Sequence, residues 1–87
     1  MTLDKNFVVA ELGDGYAAVP VGESAGLNCI IQLNKTGKMI WDYIAEGLDT
    51  FAIVEKLIEQ YDVDKKTALQ NVEAICEKLI DVGVLQV

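Results

Sequence analysis

Asn34, Asp49 or Thr50, and Asp64 each stand directly before a run whose apolar residues recur every three to four positions. A short side chain with an oxygen satisfies the free amides at a helix start. The repeated pairing of cap and amphipathic run therefore predicts three helices in succession. The first spans Lys35 to about Glu46, with Met39, Ile40, Tyr43 and Ile44 in its stripe, Trp41 at one flank, and Gly47 ending it. The second spans Phe51 to Tyr61 on Ile53, Val54, Leu57, Ile58 and Tyr61. The third runs from Lys65 to about Val82, where Gly83 supplies a left-handed terminator. Val84 to Val87 is a short apolar tail placed to cover the core.

The chain ahead of Asn34 has a different pattern. Phe7 to Leu12 and Tyr16 to Val21 are Val- and Ala-rich runs separated by turn residues, which predicts a β-hairpin turning at Asp14-Gly15. Pro20 has no N–H for a ladder, so a bulge or an early end to pairing is expected there. "GESAG" is a loop, and "LNCIIQL", Leu27 to Leu33, is a third strand. Cys29, Ile31 and Leu33 alternate to one face of it, with Asn28, Ile30 and Gln32 on the other. A three-stranded antiparallel sheet followed by three helices is a small α+β domain, its last two helices forming a helix-turn-helix. At 87 residues, 52% of them apolar, residues 1–87 make one domain with a modest core.

Charge and composition narrow the function. Fourteen acidic residues against seven basic ones, all Lys, give a net charge of −7. Nucleic acid and anionic membrane surfaces are disfavoured as partners, because both reward basic patches. No apolar run reaches the roughly 20 residues of a membrane span, and "MTLDKNF" lacks the pattern of a signal peptide. A cytoplasmic location is the expectation. The chain has no His, and Cys29 and Cys76 are far apart, so neither a metal site nor a cofactor is expected. Both cysteines sit in apolar stretches and read as small buried thiols, with a disulfide the minor alternative. Ser24, the only serine, lies in the "GESAG" loop with no His to activate it, and no phosphate loop is present. Glu55 and Glu59 fall on the polar face of a helix. Nothing points to catalysis.

Two features exceed what a core requires. On a helical wheel the apolar and small residues of the third helix run from Ile75 and Ala68 through Leu79, Val72 and Cys76 to Leu69 and Ile80. That arc spans about 140°, against about 100° for an ordinary surface helix. Either the border with Ala68 and Ile75, flanked by Asn71 and Lys78, stays open, or a small domain wraps this helix more fully. The third strand is also an edge, and "LNCIIQL" carries no Lys, Pro or charge to blunt it, whereas Asp4, Lys5 and Glu11 flank the first strand. An undefended edge beside an open helix flank suits an added peptide strand.

The run Leu-Asn-x-Thr-Gly-x-x-Ile-Trp from Leu33 to Trp41 and the closing Leu-x-x-x-Gly-Val-Leu from Leu79 to Leu85 resemble the PqqD family. This is coenzyme PQQ synthesis protein D and, more broadly, the PqqD-like recognition elements of ribosomally made, modified peptides. The resemblance extends from about Phe7 to Val87. It implies a winged-helix-like, non-catalytic chaperone. Such a domain binds the leader of a precursor peptide as an extra strand and presents it to a modifying enzyme, often of the radical S-adenosylmethionine type. Carried onto this chain, the peptide-binding residues are Asn28, Cys29, Ile30, Ile31 and Gln32 on the strand, and Ala68, Asn71, Val72, Ile75 and Lys78 on the helix. Trp41, Ile40 and Ile44 read as scaffold.

Two other readings compete. A DNA-binding winged-helix regulator would present Lys66, Gln70, Glu73, Glu77 and Asp81 to the duplex, and the acids there would repel phosphates. A plain structural or dimerisation domain would bind no leader. An open edge also permits a strand-swapped homodimer.

Overall fold

The computed structural model describes residues 2–22 and 30–86. Two short terminal strands, β1 (Thr2–Leu3) and β5 (Leu85–Gln86), bracket the chain. Between them lie β2 (Phe7–Leu12), β3 (Gly15–Pro20), β4 (Ile31–Leu33), α1 (Lys35–Ala45), α2 (Thr50–Gln60) and α3 (Lys65–Asp81). The main sheet is antiparallel, in the order β2-β3-β4. The α+β fold, a three-stranded sheet followed by three helices, is therefore as the sequence implies.

Turn chemistry sets the hairpin. Leu12 pairs with Gly15, so the two-residue turn is Gly13-Asp14, not Asp14-Gly15. Gly13 has φ +57° and no residue other than glycine has positive φ among those described, which is the pattern of a type II′ turn with glycine first. Gly15 is consumed by pairing instead. A Cβ on it would lie 3.3 Å from the Leu33 carbonyl oxygen. Pro20 introduces no bulge: the six rungs run unbroken to Phe7↔Pro20, where the strand ends.

The strand alternation sorts the faces. Phe7 and Val9 on β2, Tyr16 and Ala18 on β3, and Ile31 and Leu33 on β4 pack into the core, while Val8, Leu12 and Gln32 are exposed on the other face. Helix starts are fixed by side-chain caps. Asn34 Oδ1 accepts from the Gly37 amide at 2.7 Å, Asp49 Oδ1 from Ala52 at 2.9 Å, and Asp64 Oδ1 from Thr67 at 2.7 Å. Asp49, rather than Thr50, is thus the cap of α2. The three helices fold their stripes, with Ile40, Ile44, Ile53, Val54, Leu57, Val72 and Leu79 buried, against the inner face of the sheet. Trp41 is buried among them, a scaffold residue as expected.

The tail does more than cover the core. Gly83, at φ +83°, turns the chain so that Val84 and Leu85 become buried. β5 then pairs with β1 in the register Thr2↔Gln86 and Leu3↔Leu85. Periodicity gave no sign of this second sheet, because two-residue strands have no readable alternation. The pairing matters for function: it takes the described part of the tail to β1 and away from β4.

Candidate functional site

β4 is an edge strand. β3 lies on one side of it, and no other strand among the described residues lies on the opposite side. Main-chain groups on a strand alternate between its two sides. Lys78 Nζ, reaching from α3, donates to the Gln32 main-chain carbonyl at 3.2 Å. That bond brings the Lys78 side chain of α3 to the outer edge of β4. It also identifies the outer side as the one to which Gln32 turns its main-chain groups. By alternation, those of Ile30 turn the same way. Ile30 is 68% exposed and ready for contact.

The groove continues from this bond toward the start of α1. Ile75, one turn back from Lys78, is half-buried against Gly37 and Leu33. A Cβ on Gly37 would meet Ile75 Cδ1 and Leu33 Cδ2, each at 3.4 Å. Glycine there costs helix propensity, and its missing Cβ leaves room for the capping Asn34 Oδ1, which would lie 3.3 Å away. Next to Ile75 is a recess of about 180 Å³ between α1 and α3, lined by Asn34, Thr36, Gly37, Ile40, Asn71, Ala74 and Ile75. Asn71, Ile75 and Lys78 share one face of α3, which runs from this recess to the Gln32 carbonyl at the β4 edge, and Ile30 is exposed two residues before Gln32.

Three of the expected site residues are elsewhere. Ala68 and Val72 have no exposed surface and belong to the core. The apolar arc of α3 is buried through its centre and is left more exposed at its opposite border, where Leu69 and Ile80 are 37% and 41% exposed. The small side chain at 68 suits close approach of neighbouring elements rather than an open pocket. Ile31 is also core, at 2% exposure, and by the same alternation its main-chain groups turn inward to β3. Asn28 and Cys29 lie outside the described residues, as does Leu27, where the "LNCIIQL" strand is expected to begin. The sequence reading missed Gly37, Thr36 and Ala74. The Thr-Gly pair at the start of a helix was the available signal, since glycine is a poor helix former.

Titratable groups add little chemistry. Burial, and then the Glu73 carboxylate, push the half-buried Cys76 thiol up, away from the reactive thiolate. The Thr67 hydroxyl and amide beside Asp64 hold its carboxyl below the usual carboxylate range. Among the described residues no group of three or more potential metal ligands comes together.

Residues 26–85 match the family described as coenzyme PQQ synthesis protein D, PqqD. The chain belongs to the PqqD family. The matched segment contains β4, all three helices and the cleft between β4 and α3. None of the curated proteins matches the chain in sequence. Two solved structures share the fold. TbiB1 in complex with the TbiA(beta) leader peptide is similar at a TM-score of 0.79 and 21% identity, covering 99% of this chain and 95% of TbiB1. A lasso peptide synthetase B1 complexed with its leader peptide is similar at a TM-score of 0.78 and 21% identity, covering 94% of this chain and 92% of that one. The fold is thus shared with both structures across nearly the whole chain.

Proposed function

We propose that this PqqD-family domain is a recognition element for the leader of a ribosomally made precursor peptide. The leader adds as a strand to the outer edge of β4, in the cleft against Asn71, Ile75 and Lys78. Backbone hydrogen bonds supply the affinity, and the Ile75 recess supplies side-chain specificity. The domain holds the leader and carries out no chemistry of its own. A modifying enzyme, of the radical S-adenosylmethionine type, acts on the rest of the precursor, for PQQ or another modified peptide.

One observation carries this reading: the outer edge of β4 has no strand on it among the described residues, and it faces a partly apolar flank of α3. Leader peptides bound to both similar structures support it. The regulator reading fares worse. Lys66, Gln70, Glu73, Glu77 and Asp81 are all exposed on α3, so the acids would meet phosphates directly. The same open edge is where a second copy would add to form a homodimer.

The test is a titration of isotope-labelled protein with the leader segment of a short precursor encoded beside it. Amide resonances of Ile30, Gln32, Ile75 and Lys78 should shift first and furthest. Shifts confined to the exposed acidic face of α3 would overturn the proposal.

A further inference from the structure

Lys78, at the β4 edge, rests on a neutral partner. Lys78 Nζ donates to a main-chain carbonyl, that of Gln32, at 3.2 Å. The chain holds 14 acidic residues against 7 basic ones. Among the described residues the one ion pair is Lys38 with Asp42. Asp81 is one turn beyond Lys78 on α3, within the spacing at which helix neighbours pair, yet no ion pair joins them. In a molecule with acid to spare, this ammonium rests on a group that cancels none of its charge. Its surroundings along the cleft, Gln32, Ile30, Asn71, Ala74 and Ile75, are uncharged.

The carbonyl it occupies is the one an incoming strand needs. An added strand bonds to the outward main-chain groups of the edge, and a lysine at an edge blocks such pairing. A guest N–H arriving at Gln32 displaces the ammonium, which stays tethered beside the guest on a flexible four-carbon stem. We propose that Lys78 closes the β4 edge in the empty protein and, once displaced, pairs with an acidic side chain of the guest. One fixed position of the guest is thereby selected for Asp or Glu. This rests on the strand-addition reading above and adds to it the charge of the preferred peptide.

The test uses a displayed library of random twelve-residue peptides. It is selected on the immobilised domain, on Lys78→Met and on Lys78→Glu. Lys78 is exposed, so all three should melt alike. Peptides selected on the wild type should share Asp or Glu at one place in their apolar pattern. The preference should vanish on Lys78→Met and turn to Lys or Arg on Lys78→Glu. In a synthetic copy of a selected peptide, Glu→Gln should weaken wild-type binding about fivefold, less so at high salt, and leave Lys78→Met binding unchanged. Peptides that lose binding on Ile30→Pro but keep the same acidic preference on Lys78→Met overturn the role of the lysine while strand addition stands. Peptides indifferent to Ile30→Pro overturn strand addition, and the role of the lysine with it.

Discussion

The two edge strands of the main sheet are protected in different ways. β2 is six residues long, carries Glu11 within it, and follows a charged segment, Asp4 and Lys5. That segment folds back on itself: Asp4 Oδ1 accepts from the Asn6 amide at 2.8 Å, and the Asp4 carbonyl from Phe7 at 3.3 Å. β4 has three described residues and no charge of its own. Its guard is Lys78, 46 positions away on α3. A charge built into a strand cannot be withdrawn, whereas a lysine on a long stem can swing aside. The edge that can open is the one whose protection comes from another element.

The largest effect should come from separating the two roles of the β4 segment. Ile31→Pro removes a ladder rung and a buried core side chain, so it should cost about 3 kcal/mol or more and unfold much of the protein in denaturant titration. Ile30→Pro, at an exposed site ahead of β4, should leave the helical circular dichroism intact and abolish peptide binding. Equal loss of fold in both variants would show that the edge is not separable from the core.

On α3, core and rim residues should separate stability from binding. Val72→Ala should lose about 2 kcal/mol of stability, because its side chain is fully buried, with peptide affinity nearly unchanged in the folded fraction. Ile75→Ala should lose only about 1 kcal/mol and yet weaken peptide binding by about tenfold, since it lines the cleft. A reversal of that order, read by melting and calorimetry, would move the cleft to another flank of α3.

The smallest effect concerns the cap of α3. The folded carboxyl of Asp64 titrates lower than in the unfolded chain, held down by Thr67. Its contribution is therefore present above the unfolded aspartate range and is lost as pH falls through the lower, folded value. Wild type should melt slightly above Asp64→Asn at neutral pH, with the gap closing in acid. A gap that persists in acid would assign the effect to something other than the charge.

Much of the fold was legible because its signals are local. Each cap touches an amide three residues away, so Asn34, Asp49 and Asp64 mark their helices without knowledge of the rest. The helix stripes follow from a period of 3.6, and the hairpin from a glycine that tolerates positive φ. Even the turn error was local, a shift of one residue between two glycines flanking Asp14.

The amino-acid sequence by itself determined the order and kind of elements, the acidic character, and the presence of an edge strand beside an amphipathic helix. Tertiary structure alone decided which part of the α3 arc is core, since burial depends on what packs there: Ala68 and Val72 went inside while Ile75 stayed at the rim. It also decided that the chain ends pair with each other rather than with β4, and that a lysine from α3 rests on the Gln32 carbonyl. These are contacts between residues far apart in the chain. No periodicity or cap encodes them, because their energy exists only once the elements are packed.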